Sequence, residues 1–356
     1  MLYMKKIFRS YRQLRYVTLA AALCTSLTAS AQQKPQYTQY ILNNYILNPA
    51  LSGIENYTDV KLSHRHQWVG LQDAPVTSYL SIHGSIGKKD HPRPNTSIID
   101  PYADPENPRG NKYWEDYEAA NPHHGVGLQI VNDQAGPFQN TSIMGTYAYH
   151  MRLNKKTNIA AGLGLGFSSF RLNTNKLFFG EDFPVDPAIA SGGVLGRARL
   201  DANAGLWVYS DKYFIGVSAN QLLPTRIEYA PNLVRLTEGK LQPHIFATAG
   251  YRFLIQEDFN LIPSVMVKKV GPIPVQVDVN AKLQYRDLLW VAASYRAQYG
   301  FAAFAGFNVL NRVSISYAYD YTTTRLNTVS RGTHEILLGF ALGRTADGLG
   351  CPRNIW

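Results

Sequence analysis

The stretch "VQVDVNAKLQYR", residues 275–286, alternates without interruption. Val275, Val277, Val279, Ala281, Leu283 and Tyr285 fall on one side of an extended chain. Gln276, Asp278, Asn280, Lys282, Gln284 and Arg286 fall on the other. Period two with every charge on one side describes a strand between an apolar phase and a polar one. Residues 313–322 repeat it, with Val313, Ile315, Tyr317, Tyr319 and Tyr321 against Ser314, Ser316, Ala318, Asp320 and Thr322. Residues 199–209 do so again, Leu200, Ala202, Ala204, Leu206 and Val208 opposing Asp201, Asn203, Gly205, Trp207 and Tyr209. In 159–168 the second face is Ala160, Gly162, Gly164, Gly166 and Ser168. Such glycines leave room for crowded barrel side chains or for a closely packed neighbour.

Strand length separates the architectures. Soluble strands average about five or six residues, whereas a tilted strand needs about nine to eleven to cross a bilayer. The candidates here reach the longer value. Aromatics recur near their ends, at Tyr57, Trp68, Tyr149, Tyr209, Tyr213, Tyr251, Tyr285, Tyr295 and Tyr321, as interfacial girdles would require. A soluble sandwich or propeller shares the alternation but not the length. The expected fold is all-β: a transmembrane outer-membrane barrel of about 14 antiparallel strands over residues 57–343.

An even strand count leaves both termini on one side, the periplasm. The even-numbered connections should then be short. From the fourth onward they read "LNKKT", "SDK", "QED", "RD" and "LNR". The longer 172–196 and 222–242 are odd-numbered and expected outside. One connection breaks the rule. The second, 88–122, is long and Pro-rich, and reads as an inserted periplasmic loop or as a miscount by one strand.

The chain begins with Lys5, Lys6, Arg9, Arg12 and Arg15, then the apolar "VTLAAALCTSL", then Ala29 and Ala31. This is the order of a secretory leader over residues 1–31, and the apolar run is too short to span a bilayer. Cys24 raises a lipoprotein reading, but Leu23 precedes it where that processing wants a small residue. Cys351 is the one cysteine left after cleavage, so no intrachain disulfide forms. The net charge of +10 is scattered singly and partly carried by the leader, which argues against nucleic acid as a partner. No other apolar run has the length of a transmembrane helix.

Residues 32–56 precede the first strand and 344–356 follow the last. Ile41, Leu42, Ile46, Leu47 and Leu51 in the former are too apolar to stay wet, each gaining roughly 1.5–3 kcal/mol on burial. Pro49 halts any helix and Gly53 offers a bend. The segment is expected to fold into the periplasmic mouth and plug it in part, with access left from outside. The alternative is a short helix on the rim or against a periplasmic partner.

The words "YILNNYILNPALSG", "RHQWVGLQDAPVTSYLSIHG", "GVGLQIVNDQAGPF" and "TYAYHMRL" carry a resemblance. They resemble the PorP/SprF family of outer-membrane proteins from the type IX secretion and gliding motility machinery of Bacteroidetes. The likeness runs from about residue 36 to 343. Asp73 departs from the Gly expected before Ala74-Pro75, and 88–122 resembles an insertion. The resemblance implies a signal-peptide-bearing, transmembrane barrel of the cell outer membrane. Its role would be protein secretion or surface display of a cargo protein carrying a type IX C-terminal signal. The implied partners are outer-membrane lipid, the cargo, and periplasmic ring lipoproteins or a peptidoglycan-binding subunit. The alternative is an outer-membrane transporter or channel for small or hydrophobic solutes.

Candidate partner-binding residues are Asn48, Arg65, Gln67, Trp68, Asn132 and Asp133. Arg65 and Gln67 share a face with Asp59 and Lys61, so they either grip a partner chain or pair across the lumen. Trp68 also suits an interfacial anchor, and Asn132-Asp133 with Gly136 suits turn chemistry. His64 and His66 share a face without a third metal ligand; His123 and His124 point opposite ways. No nucleophile elbow, zinc-protease motif or phosphate loop occurs, and neither enzyme activity, cofactor nor metal is expected.

Overall fold

The computed structural model describes residues 35–88, 117–177, 194–223, 242–256, 258–286, 288–309 and 312–343. The leader 1–31, the tail 344–356 and the interior of 88–122 lie outside the described residues, as do the middles of the two long odd-numbered loops.

Fourteen strands form one sheet. They are β1 Thr58–His66, β2 Val76–Ile86, β3 His123–Ala135, β4 Phe138–Arg152, β5 Thr157–Asn173, β6 Val194–Ser210 and β7 Tyr213–Asn220. Strand β8 is made of His244–Tyr251 and Phe253–Gln256, interrupted at Arg252. Then come β9 Phe259–Val270, β10 Gln276–Tyr285, β11 Leu289–Arg296, β12 Gly300–Val309, β13 Val313–Thr322 and β14 Thr333–Leu342. Each pairs antiparallel with its sequence neighbours. β1 pairs β14 from Thr58↔Leu342 to His66↔His334, which closes the barrel. Closure matters because an unpaired strand edge in hydrocarbon would leave backbone N–H and C=O groups unsatisfied.

The period-two pattern sorts the side chains as expected. On β10, Asp278, Asn280 and Lys282 are buried while Val279 and Leu283 are exposed. On β5, Leu163 and Leu165 stand 62% and 69% exposed. Neighbouring strands continue this apolar outer surface, which suits lipid and would be a liability in water. No helix among the described residues is long and apolar enough to cross a membrane; the crossings are strands.

Two of the expected girdle tyrosines face inward. Tyr209 is 4% exposed and shares a hydrogen bond with His150 Nδ1, because its parity on β6 matches lumenal Trp207. Tyr57 lines a lumenal cavity, since it shares parity with inward Asp59. Tyr251, Tyr295 and Tyr321 are outward and exposed.

The barrel has two unlike ends. At the turn end, where β1 begins, the connections 153–156 and 211–212 are tight, and no more than three residues separate β8 from β9, β10 from β11 and β12 from β13. The long second connection also belongs to this end, because β2 and β3 are adjacent and antiparallel, so the count before it holds. At the loop end, where β1 finishes, lie 67–75 and 323–332, and there β5 and β7 end and β6 and β8 begin.

Candidate functional site

The lumen holds the chain's own residues 36–54. They form three short 3-10 turns, Thr38–Leu42, Asn44–Ile46 and Pro49–Leu51. No α-helix forms: the Asn48 side chain takes the Ala50 N–H and Pro49 lacks a donor. Asn48 opens the last turn: its Oδ1 accepts from Ala50 N at 2.9 Å, with Pro49 as first residue. The apolar side chains are buried in two clusters. Tyr40, Ile41, Ile46 and Leu47 pack with Tyr79, Phe246, Met266, Trp290, Phe304 and Leu337. Tyr45, Ala50, Leu51 and Ile54 pack with Trp207, Tyr209 and Phe214.

Near the loop end a charged clasp holds the start of the segment. Arg65 donates from Nη1 to Gln36 O at 2.7 Å, from Nε to Thr38 Oγ1 at 3.1 Å and from Nη2 to Asp320 Oδ2 at 3.0 Å. Its Nε also lies 3.5 Å from Glu335 Oε2, which accepts from Thr38 N at 2.8 Å. Thr38 Oγ1 donates to Asp320 Oδ2, and Gln39 Nε2 donates to Glu335 O. Beside this cluster Arg296 pairs with Asp278 at 3.0 Å and reaches Gln36 Oε1. A buried ion pair adds little by itself, but removing one member strands the others.

Toward the turn end the segment lies against glycines. A Cβ on Gly162 would collide with Ala50, one on Gly205 with Asn48 Oδ1, and one on Gly125 with Ser52 O. Backbone therefore meets backbone at β3 and β5, and at β6 the Asn48 amide lies directly on the strand. Asn48 Nδ2 also donates to Leu206 O at 3.0 Å and Val217 O at 3.3 Å. Tyr45 O accepts from Gln129 Nε2 at 2.6 Å. Three lumenal histidines surround Ser52 and Gly53. Gly53 N donates to His83 Nδ1 at 3.3 Å, Gly53 O sits 3.2 Å from His123 Nε2, and Ser52 O 2.8 Å from His150 Nε2. His123 and His150 stack with ring centroids 4.4 Å apart. Gly53 has φ +71°, the left-handed turn that leads out toward β1.

The segment thus spans the lumen from the clasp at the loop end to the histidines at the turn end. The sequence reading expected it at the turn-end mouth only. The difference arises because short 3-10 turns rise about 2 Å per residue, enough for the segment to reach the far end.

The candidate residues divide. Arg65 on the wall holds the segment at one end, and Asn48 within the segment ties it to the wall at β6 and β7. Gln67, in the amide orientation that satisfies both groups, accepts from Arg65 Nη2 at 3.0 Å. Trp68 sits in the β1–β2 connection at φ +46°, its N donating to Thr333 Oγ1. Asn132 and Asp133 are neighbours on β3 and diverge: Asp133 accepts from Thr77 Oγ1 at 2.6 Å inside, and Asn132 accepts from Gln139 and Thr141 outside. His64 and His66 face outward, and no group of three or more possible metal ligands occurs among the described residues.

Sequence reasoning missed Asp320, Glu335 and Thr38 as the partners of Arg65. A signal existed: a lone acid on the polar face of an otherwise uncharged strand needs an inward cation. It also flagged Gly162 without finding Ala50.

Solved structures with a similar course include the monoaromatic hydrocarbon channel CymD, at 13% identity and TM-score 0.47, covering 85% of this chain and 93% of that one. The Ralstonia pickettii toluene transporter TbuX matches at 9% identity and TM-score 0.46, covering 83% and 92%. A mutant porin of Rh. blastica matches at 10% identity and TM-score 0.31, covering 80% and 98%. No curated protein matches the sequence. The family described as "Type IX secretion system membrane protein PorP/SprF" matches residues 29–340. With the match spanning nearly all of the sequence and the closed fourteen-strand barrel beneath it, this chain belongs to the PorP/SprF family of type IX secretion system membrane proteins.

Proposed function

We propose that the protein is an outer-membrane barrel that supports secretion or surface display of a cargo protein by protein–protein binding. The observation that carries this reading is the filled lumen. Residues 36–54 occupy it with buried Tyr40, Ile41, Tyr45 and Leu51, so contacts with other molecules are left to the two rims and the outer wall. The tight turns mark the periplasmic end and the long loops the outer surface, by the habit of such barrels. The loop end then meets a cargo with a type IX C-terminal signal. The turn end meets periplasmic ring lipoproteins or a peptidoglycan-binding subunit. Lipid surrounds the wall.

The test is a deletion of this gene in its own host, with the surface proteome measured beside uptake of small aromatic and aliphatic solutes. Loss of one or a few surface proteins, which also crosslink to the barrel, is the expected result. Unchanged surface proteins with reduced solute uptake would replace this reading by the transporter one.

A further inference from the structure

The lumenal segment fills the barrel unevenly. It lies directly on the wall at Gly125, Gly162 and Gly205, on β3, β5 and β6. On the other side three cavities follow one another along β10. One of about 20 Å³, near the clasp, is lined by Tyr37, Tyr40, Gln276 and Asp278. One of about 10 Å³ lies at mid-barrel, between Tyr40, Ile41 and Asn44 of the segment and Ser264 and Lys282 of the wall. One of about 130 Å³ lies at the turn end, between Leu42 and a wall that includes Lys282, Gln284, Trp290 and Asn308.

Their order follows from period two. Gln276, Asp278, Asn280, Lys282 and Gln284 form the inward face of β10, and each lines a cavity or the partition between two. Tyr40 lines the first cavity and the second, and its hydroxyl accepts from Asn280 Nδ2 at 2.7 Å. Its ring is therefore the partition between them. Lys282 lines the second and the third. The middle of this line is polar. Asn44 Oδ1 and Asn280 Oδ1 are buried and accept no hydrogen bond from any described residue. Buried groups of that kind in folded proteins are met by buried water. A cavity of about 10–15 Å³ suffices for one water molecule, which is the size of the smallest of the three.

We propose that the three cavities are one water path through the plugged barrel, interrupted by Tyr40 and Lys282 as gates, and that it passes water and small ions when these side chains swing aside. The segment itself stays in place, held by Arg65 at the clasp and by Asn48 at β6 and β7. Tyr40 has only to give up its bond to Asn280 and shift along the wall for the first two cavities to join. The inference goes beyond the secretion reading and does not depend on it, since the path is a property of the purified barrel and is too narrow for a polypeptide.

The test uses the full chain in planar bilayers, with heat-modifiable migration on gels as the check of folding. Tyr40→Ala combined with Lys282→Ala is expected to give stable conductance steps where the wild type gives none, and each single change to give smaller or rarer ones. Tyr45→Ala is the control. It removes an equal ring from the opposite side of the segment, where Tyr45 bonds Thr146 Oγ1 at 2.6 Å, and should stay closed. A second measurement keeps both gates intact and decides the matter if the double variant does not fold. With Cys351→Ser, which removes the one cysteine left after the leader, Ser264→Cys places a thiol in the middle cavity and Thr146→Cys places one on the opposite wall. Methyl methanethiosulfonate is expected to modify the former about ten-fold or more faster, because water reaches it without displacement of the segment. A folded double variant that stays closed overturns the proposal. So does a Tyr45→Ala barrel that conducts as well as the double variant, or a thiol at 264 that reacts no faster than one at 146.

Discussion

Arg65 on β1 and Asp320 on β13 meet in a 3.0 Å ion pair inside the lumen, although β14 stands between their strands. The pair bridges over Glu335, which β14 contributes to the same cluster, and Thr38 closes it from the lumenal segment. Three strands and the segment therefore depend on one guanidinium. Arg65→Met should cost about 3–5 kcal/mol, because two carboxylates would be left buried without their cation. Chemical denaturation of the refolded barrel measures this. A loss below about 1 kcal/mol, the value of an exposed pair, would mean that water reaches the cluster.

The glycine cradle makes a sharper contrast. Gly162 faces the lumen with no room for a Cβ beside Ala50, whereas Gly145 faces outward and its nearest neighbour would be Leu165 O at 3.7 Å. Gly162→Leu should push out residues 48–50 and raise protease cleavage in 36–54, at an overpacking cost of about 1–3 kcal/mol or more. Gly145→Leu should leave cleavage unchanged. Cleavage that rises equally in both variants would place the segment elsewhere.

Asp73 tests the departure from the family pattern. It adopts φ +54°, the conformation that suits Gly, and among the described residues its side chain makes only an exposed pair with Lys176. A non-glycine residue in that conformation costs about 1–2 kcal/mol, offset in part by the short polar side chain of Asp. Asp73→Gly should therefore be neutral or stabilise by up to about 1 kcal/mol, and Asp73→Val should destabilise by about 1–2 kcal/mol. Denaturation midpoints of the two variants check the order. The reverse order would show that the ion pair outweighs the backbone.

The outer wall gives the membrane prediction. Val279 is 51% exposed on the apolar face of β10, and Gln284 on the same strand lines the lumenal cavity. Val279→Arg should cost up to about 2–4 kcal/mol in a lipid refolding assay, by its depth in the bilayer. Gln284→Arg should cost clearly less. Equal costs would exchange the two faces.

Much of this is legible in the sequence. Alternation over residues 275–286 and 313–322 fixed which side chains face lipid, since period two follows from the geometry of an extended chain. Loop parity placed the strand count. What stayed hidden depends on partners distant in sequence. Glu335 lies on the last strand and Thr38 before the first, and no local pattern announces that they meet. Tyr57 and Tyr209 were misplaced because an aromatic near a strand end suits both a girdle and a lumen, and only parity decides. The path of residues 36–54 was hidden because 3-10 turns of three to five residues carry no readable period.

The chain's own residues 36–54 fill its lumen. Single-channel recording in planar bilayers tests it most directly, comparing the full chain with one lacking residues 36–48 but keeping the leader and all strands. Heat-modifiable migration on gels confirms that both are folded. The full chain should stay closed, and the truncated barrel should show stable conductance steps. A full chain that conducts as well as the truncated one, or a folded truncated barrel that stays closed, would contradict the account.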